Sequence, residues 1–283
     1  MRTFTVYRNG ASACTVSGYT GGDVGKRGQI GGWSPAAARR NRQFLYSVQH
    51  ELCDGFGFAL SLTLRDCPAT PSEFHALRRA WLERVRRLGA LRWHWVIEMQ
   101  RRRVPHLHAA VYFPCDPGGF GRFGGWHSVQ AWLAIASEYG ARISGQHVDL
   151  IDDSVGWAMY LDKHAARGVR HYQRSAGSLP AQWRLRSGRL WGRGGDWPVQ
   201  EPMKFELSDS GWYRLRRLVR SWVESRARVS SKDRGRRIRF ARGLLRVTDP
   251  ELSAVRGVSE WIPDGQALHL LRALAAMGYE VNQ

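Results

Sequence analysis

The sequence predicts a mixed fold of strands and helices, and three observations predict it. Segments that alternate apolar and polar residues, the period of a half-buried strand, are interleaved with segments whose apolar residues recur every three to four positions. Two of the strand-like segments, Arg92 to Gln100 and Val104 to Phe113, are separated only by Arg101, Arg102 and Arg103, which makes them an antiparallel hairpin with a basic turn. The chain has 283 residues, 43% of them apolar, enough to build a real core in one large domain or two small ones.

Taken in order, residues 1–40 are rich in Gly and small polar residues (Gly21-Gly22, Gly31-Gly32, Ser34-Pro35) and read as an extended arm. A short helix is expected from about Ala36 to Leu52. FALSLTLR, Phe58 to Arg65, alternates as a strand and is broken by Asp66 to Pro71. From Ser72, read as a cap with Glu73 behind it, Phe74, Leu77, Trp81, Val85 and Leu88 mark a helical face. After the hairpin, a Gly-rich loop (Gly118 to Gly125) leads to a helix from about His127 to Tyr139. A short strand follows, His147 to Ile151, and then a helix from about Asp153 to Ala166 with Asp152 or Asp153 as its cap. Beyond the segment GRLWGRGGDWP (Gly188 to Pro198), a strand is expected near Met203 to Leu207 and a long basic helix from about Ser210 to Arg228. A polar linker (Ser230 to Arg237) and an apolar helix (Gly265 to Met277) complete the chain. The expected organisation is an arm over 1–40, a principal domain over 41–200 and a basic helical region over 201–283.

Composition excludes several classes. No run approaches the 18 apolar residues of a membrane span, and TFTVYRNG after Met1-Arg2 has no signal-peptide core, so a soluble, cytoplasmic protein is expected. Cys14, Cys53, Cys67 and Cys115 lack CxxC spacing, which reads as reduced thiols. Gly25-Lys26 is not a phosphate-binding P-loop, because Thr20 stands where its first glycine is needed and Arg27 follows the lysine. The net charge is +19, and +16 of it lies between Lys163 and Arg246, with six of the thirteen tryptophans in or beside that stretch. Guanidinium groups pair with phosphates in bidentate fashion and indoles stack on unpaired bases, so the partner expected is nucleic acid rather than a membrane. Of the 43 basic residues 39 are Arg, so part of this charge is simply solvated surface.

Two constellations carry chemistry. His106 and His108, two apart on a strand, project from one face, and Glu98 comes opposite them if the hairpin turns at Arg101 to Arg103. Two imidazoles and a carboxylate leave open positions on a divalent ion, as a catalytic site requires; oxygen from Glu98 and from phosphate favours Mg²⁺ or Mn²⁺. An HxH pair alone is equally compatible with two half-buried sheet histidines. Neither HExxH nor the continuation of HxH by Asp and His found in metallo-hydrolases of the beta-lactamase type is present. Tyr160 and Lys163 share a face of the following helix, where a cation can stabilise the phenolate that a nucleophilic tyrosine needs; on a generic helix such a pair simply packs and solvates.

The order FALSLTLR, then IEMQRRRVPHLHAAVYFP, then WAMYLDKHAA resembles the HUH endonucleases: rolling-circle replication initiators of filamentous phages and plasmids, with relaxases and certain transposases as relatives. GRLWGRGG is similar to a segment of phage-type initiators, and the resemblance spans roughly Phe58 to Pro198, about half of the chain. It implies an α+β fold, a central antiparallel sheet of about five strands flanked by helices, followed by a basic helical C-terminal extension. It also implies that Glu98, His106 and His108 hold the metal while Tyr160 attacks the scissile phosphate of single-stranded origin DNA, assisted by Lys163. A 5′-phosphotyrosine and a free 3′-hydroxyl would result. Gly156 and His164 occupy the positions of a second tyrosine, so a one-tyrosine enzyme is expected, and Val104 replaces the usual glycine before Pro105-His106. Arg101, Arg102, Arg103, Arg167, Arg170, Arg189, Trp191, Arg193, Arg214, Arg216 and Arg217 are the expected DNA contacts. Without a P-loop the protein would rely on a host helicase and replication machinery, in the bacterial cytoplasm if phage-encoded. A transposase or relaxase with the same chemistry, and a non-catalytic nucleic-acid-binding protein, are the alternatives.

Overall fold

In the computed structural model, which describes residues 2–15, 31–115, 119, 121–159, 177, 179–229, 234–235, 238–239 and 259–283, the chain is α+β and divides into two units. Its strands are β1 (Arg2–Val6), β2 (Ala11–Thr15), β3 (Phe56–Leu62), β4 (Arg92–Met99), β5 (Pro105–Phe113), β6 (His147–Leu150), β7 (Trp191–Gly195), β8 (Met203–Leu207), β9 (Ser259–Glu260) and β10 (Val281–Asn282). Its helices are α1 (Pro35–Ser47), α2 (Pro71–Arg87), α3 (Gly124–Ile135), α4 (Ala181–Leu185), α5 (Asp209–Val229) and α6 (Asp264–Ala276), and residues 154–159 are also helical.

The unit comprising Lys26–Leu45 and Gln49–Pro198 is built on an antiparallel sheet of order β6-β3-β5-β4-β7. Strand alternation sorts its side chains into two faces. Leu60, Leu62, Leu107, Val111, Trp95 and Ile97 share one face, and α2 and α3 cover it. Trp81 and Trp132 are fully buried there, and the Trp81 indole donates to the Ser128 carbonyl at 2.9 Å. Helix α2 starts because Thr70 accepts from the Glu73 amide while Glu73 reaches back to the Ala69 amide, a capping box with Pro71 at the first helical position. The cap is therefore Thr70 rather than the expected Ser72. Helix α3 also begins earlier than expected, at Gly124; glycine is required at its first two positions because the rings of Phe113 and Phe58 occupy the space beside them, and a Cβ on Gly125 would lie 2.3 Å from Phe58 Cδ1. The opposite face presents Arg92, His94, Val96 and Glu98 of β4 beside Tyr112, Ala110, His108 and His106 of β5. Helix α1 packs on its Arg92–His94 end, where Asn41 Oδ1 meets His94 Nε2 at 2.7 Å and Phe44 stacks on the His94 ring.

The second unit comprises Met1–Gly25, Tyr46–Val48 and Val199–Gln283. Its sheet, β10-β8-β1-β2-β9, is also antiparallel, and Phe4, Val6, Phe205 and Leu207 form one face beneath Trp212, Leu215 and Val219 of α5 and Leu270, Leu271 and Leu274 of α6. Arg8 closes the end of this core by pairing with Asp264 at 2.9 Å. Two expectations are corrected here. Residues 2–15 are not an arm but a β1–β2 hairpin, and residues 201–283, besides the expected strand at Met203–Leu207, supply β9 and β10 to the same sheet. The alternation Thr3, Phe4, Thr5, Val6 is the signal of the first strand; the glycines after residue 17 masked it. No described helix is long and apolar enough to cross a membrane.

Candidate metal centre

The metal-centre geometry follows from strand register. Glu98 pairs directly with His106 across β4 and β5, and His108, one period further along β5, pairs with Val96 on one side and Ser61 of β3 on the other. All four polar side chains therefore share one sheet face, on the central strand and its two neighbours. Glu98, His106 and His108 are buried, and one ligand atom from each lies within 4.8 Å of the others. The two Nε2 atoms are 2.7 Å apart, and His108 Nε2 is 3.9 Å from Glu98 Oε2. The hydroxyl of Ser61 sits 2.8 Å from His108 Nδ1. With Nδ1–H donating to Ser61, the Nε2 lone pair of His108 is directed to the cluster, the orientation that a metal-binding histidine takes from an outer partner.

This donor set fits a divalent ion. Bonds of about 2.0–2.2 Å bring neighbouring donor atoms to about 3 Å from each other, a value that the observed 2.7 and 3.9 Å bracket. Three protein donors leave further coordination positions for substrate oxygen. Burial without such a charge is costly for a carboxylate beside two imidazoles, which favours a cation in this position over a purely structural trio.

Of the segment expected to carry the nucleophile, residues up to Met159 are described, and residues 154–159 form a helix. Asp153 caps it, its carboxylate accepting from the Gly156 amide at 2.8 Å and its carbonyl from the Trp157 amide at 2.9 Å. Tyr112, on the face that carries the triad, donates to Ser154 Oγ at 3.3 Å, so the helix begins against that face. Tyr160, Lys163, Arg167 and Arg170 lie outside the described residues. Two described tyrosines near the sheet are not activated: burial pushes the Tyr112 phenol up to about 12, and Tyr139 is also raised, by burial and by Glu73.

The expected DNA contacts separate into groups. Arg101, Arg102 and Arg103 are exposed in the hairpin turn, where Arg103 adopts φ +62°. Arg102 is committed to structure: its guanidinium donates to the carbonyls of Leu64 and Arg65 and to Gln100 Oε1. Arg189, Trp191 and Arg193 belong to β7 and its approach, the fifth strand of the triad sheet, whereas Arg214, Arg216 and Arg217 lie on α5 of the other unit. Of the tryptophans read as stacking surfaces, Trp183 and Trp212 are fully buried core residues and Trp222 packs against the second core. Ser61 was not singled out from the sequence. The alternation of Ser61 and Thr63 with leucines in FALSLTLR is the signal that marks a polar face there.

No protein-family model and no solved structure matches the chain. Among curated sequences it is 46% identical over 288 residues to a protein of Xylella fastidiosa strain 9a5c named as a replication protein, covering all of this chain and 99% of the relative. A replication protein of Xylella fastidiosa strain Temecula1 is 46% identical over 267 residues, 92% of this chain and 99% of its own. The replication-associated protein of Pseudomonas phage Pf3 is 43% identical over 257 residues, 90% of both chains. Identity of this level sustained along nearly the whole length means that the chain belongs to the family of replication proteins that these relatives represent.

Proposed function

We propose that the protein initiates rolling-circle replication as a metal-dependent, single-strand DNA endonuclease and strand transferase of HUH type. The observation that carries this reading is the buried Glu98–His106–His108 cluster on a central hairpin, in a chain whose near-full-length relatives are replication proteins. Those three side chains would hold Mn²⁺ or Mg²⁺, which when bound polarises the scissile phosphate and offsets charge building on its oxygens. Two imidazole donors favour Mn²⁺ of the pair.

Tyr160 is the nucleophile in this reading. Its phenolic oxygen loses a proton and forms a bond to phosphorus while the bond from phosphorus to the 3′-oxygen breaks. The 3′-oxygen takes up a proton, leaving a 5′-phosphotyrosine and a 3′-hydroxyl that primes synthesis. Lys163 stabilises the phenolate or the charge on phosphate. The exposed guanidinium groups of Arg101, Arg103, Arg189 and Arg193, together with Arg167 and Arg170, hold the strand, and Arg214, Arg216 and Arg217 contribute positive charge from the second unit. A host helicase opens the duplex.

The test is to incubate the protein with Mn²⁺ and single-stranded DNA carrying the origin of its replicon, then look for a covalent adduct that survives denaturation. The wild type is expected to form it and Tyr160→Phe to lose it. An adduct that persists in Tyr160→Phe removes Tyr160 as nucleophile, and origin binding without any adduct from the wild type replaces the nickase with a non-catalytic binding protein.

A further inference from the structure

The segment GRLWGRGG has a geometry that its charge alone does not explain. Gly192 and Gly194 of β7 pair with Trp95 and Trp93 of β4, and the indoles lie across the glycines: a Cβ at Gly192 would be 2.6 Å from Trp95 Cζ2 and one at Gly194 2.4 Å from Trp93 Cζ2. The glycines thus occupy the helix-covered face, and the alternation turns Trp191 and Arg193 to the face that carries the metal-binding cluster. Trp191 pairs with Val96, and Val96 with His108, so the indole stands in the same cross-strand row as His108. Two strand spacings separate them, about 10 Å.

Trp191 is half-buried, which leaves part of the ring available, and it is framed by cations. The Arg189 guanidinium lies 5.9 Å from the Trp191 ring centre while its Nε donates to the Trp191 carbonyl at 2.9 Å, and Arg193 is exposed over Phe44 at 4.1 Å. Among the described residues, Arg189 and Arg193 have no carboxylate partner. A flat apolar surface with uncompensated guanidinium groups on either side matches one ligand chemistry: an unpaired base with its flanking phosphates.

We propose that Trp191 is the stacking platform for a single-stranded DNA base lying roughly one or two nucleotides from the phosphate at the metal-binding cluster, with Arg189 and Arg193 contacting the adjoining phosphates. The proposal rests on the nickase reading for the identity of that phosphate. The edge strand β7 then sets the register of the strand on the catalytic face, and the cut falls at a fixed distance from the stacked base.

The experiment uses the full chain in EDTA, so that it reads binding without cleavage, and (dT)12 bearing one 5-iododeoxyuridine as the probe. Long-wavelength irradiation followed by mass spectrometry of tryptic peptides is expected to give a cross-link at Trp191. Anisotropy titration is expected to show that Trp191→Ala weakens (dT)12 binding at least about fivefold while Trp191→Phe retains most of it, since stacking needs a ring rather than an indole. Cross-links that fall elsewhere, or equal affinity of Trp191→Ala and wild type, overturn the proposal. The cross-link uses wild-type protein, so poor folding of the alanine variant does not obscure the result. A Trp191 cross-link with no tyrosine adduct in Mn²⁺ sinks the nickase and leaves the stacking site standing; the reverse pattern sinks only the stacking site.

Discussion

Protonation of His94 offers a perturbation whose size follows from the structure. His94 is 1% exposed, bonded to Asn41 at 2.7 Å and stacked on Phe44, and Arg193 lies over the same Phe44 ring. Burial first and the Arg193 charge second lower its pKa to about 3. In the unfolded chain it titrates near 6.5, so between these values the unfolded state binds a proton that the folded state refuses. The stabilisation is fully present above the unfolded value and is lost as pH falls below it. At about 1.36 kcal/mol per unit, lowering the pH from 7 to 5 costs about 2 kcal/mol from this residue. The assay is urea unfolding at several pH values for wild type and His94→Gln, which retains an N–H for Asn41. His50 and His75, also lowered by burial, contribute with the same sign in both proteins, so the difference in pH dependence isolates His94. The variant is expected to lose about 2 kcal/mol less than wild type over this range. Parallel curves for the two proteins would falsify the assignment of a buried neutral imidazole.

Four further outcomes are expected. Mn²⁺ at a hundredfold excess over its Kd is expected to stabilise the wild type by about 2.7 kcal/mol in thermal unfolding; His106→Ala and His108→Ala lose that gain while keeping single-strand affinity, and equal loss of both properties would make the histidines structural. Ser61→Ala, which removes the acceptor of His108 Nδ1–H, is expected to weaken Mn²⁺ binding about ten- to hundredfold, measured by the free-ion electron paramagnetic resonance signal; unchanged affinity would remove Ser61 from the centre. Gly192→Ala forces its Cβ to 2.6 Å from Trp95 and is expected to cost roughly 1–3 kcal/mol in urea unfolding, an effect absent if β7 can peel from β4 without penalty. Single-strand affinity is expected to fall steeply and log-linearly with salt, and a flat profile would contradict phosphate contacts as its source.

The triad was legible in the sequence because strand geometry leaves few choices. Once the turn is placed at Arg101 to Arg103, the two-residue period fixes His106 and His108 on one face and makes Glu98 the only acid that can oppose them. Its partner Ser61 was less visible, because which strand lies on the far side of β5 is decided by long-range pairing and not by local pattern. The second sheet was missed for the same reason: β1 and β2 are short, and their outer partners, β8 for β1 and β9 for β2, lie some two hundred residues away or more, with β10 added beyond β8. Residues 191–195 carry three glycines in five, a composition that argues against a strand. They form one because Trp93 and Trp95 supply the side-chain bulk that the glycines lack. The tryptophan count was misleading in the other direction: Trp183 and Trp212 serve the cores, and a count cannot tell a buried indole from an available one.

Under the proposed function, the two units divide the positive charge by purpose. On the triad sheet, the guanidinium of Arg189 is positioned by the Trp191 carbonyl and that of Arg193 by the Phe44 ring. Positioned donors carry geometry, so their loss shifts where and how a strand is held. On α5, Arg220 and Arg228 already pair with Glu224, and Arg214 donates to the Met277 sulfur. Half-solvated helix charges of this kind raise local attraction for a polyanion without fixing its register. Substitutions on α5 should therefore change the salt slope and the association rate of DNA, whereas substitutions along β7 should change which phosphate is cut. A variant of α5 that moved the nick site would refute this division, since nothing in a screened field selects one phosphate over its neighbour.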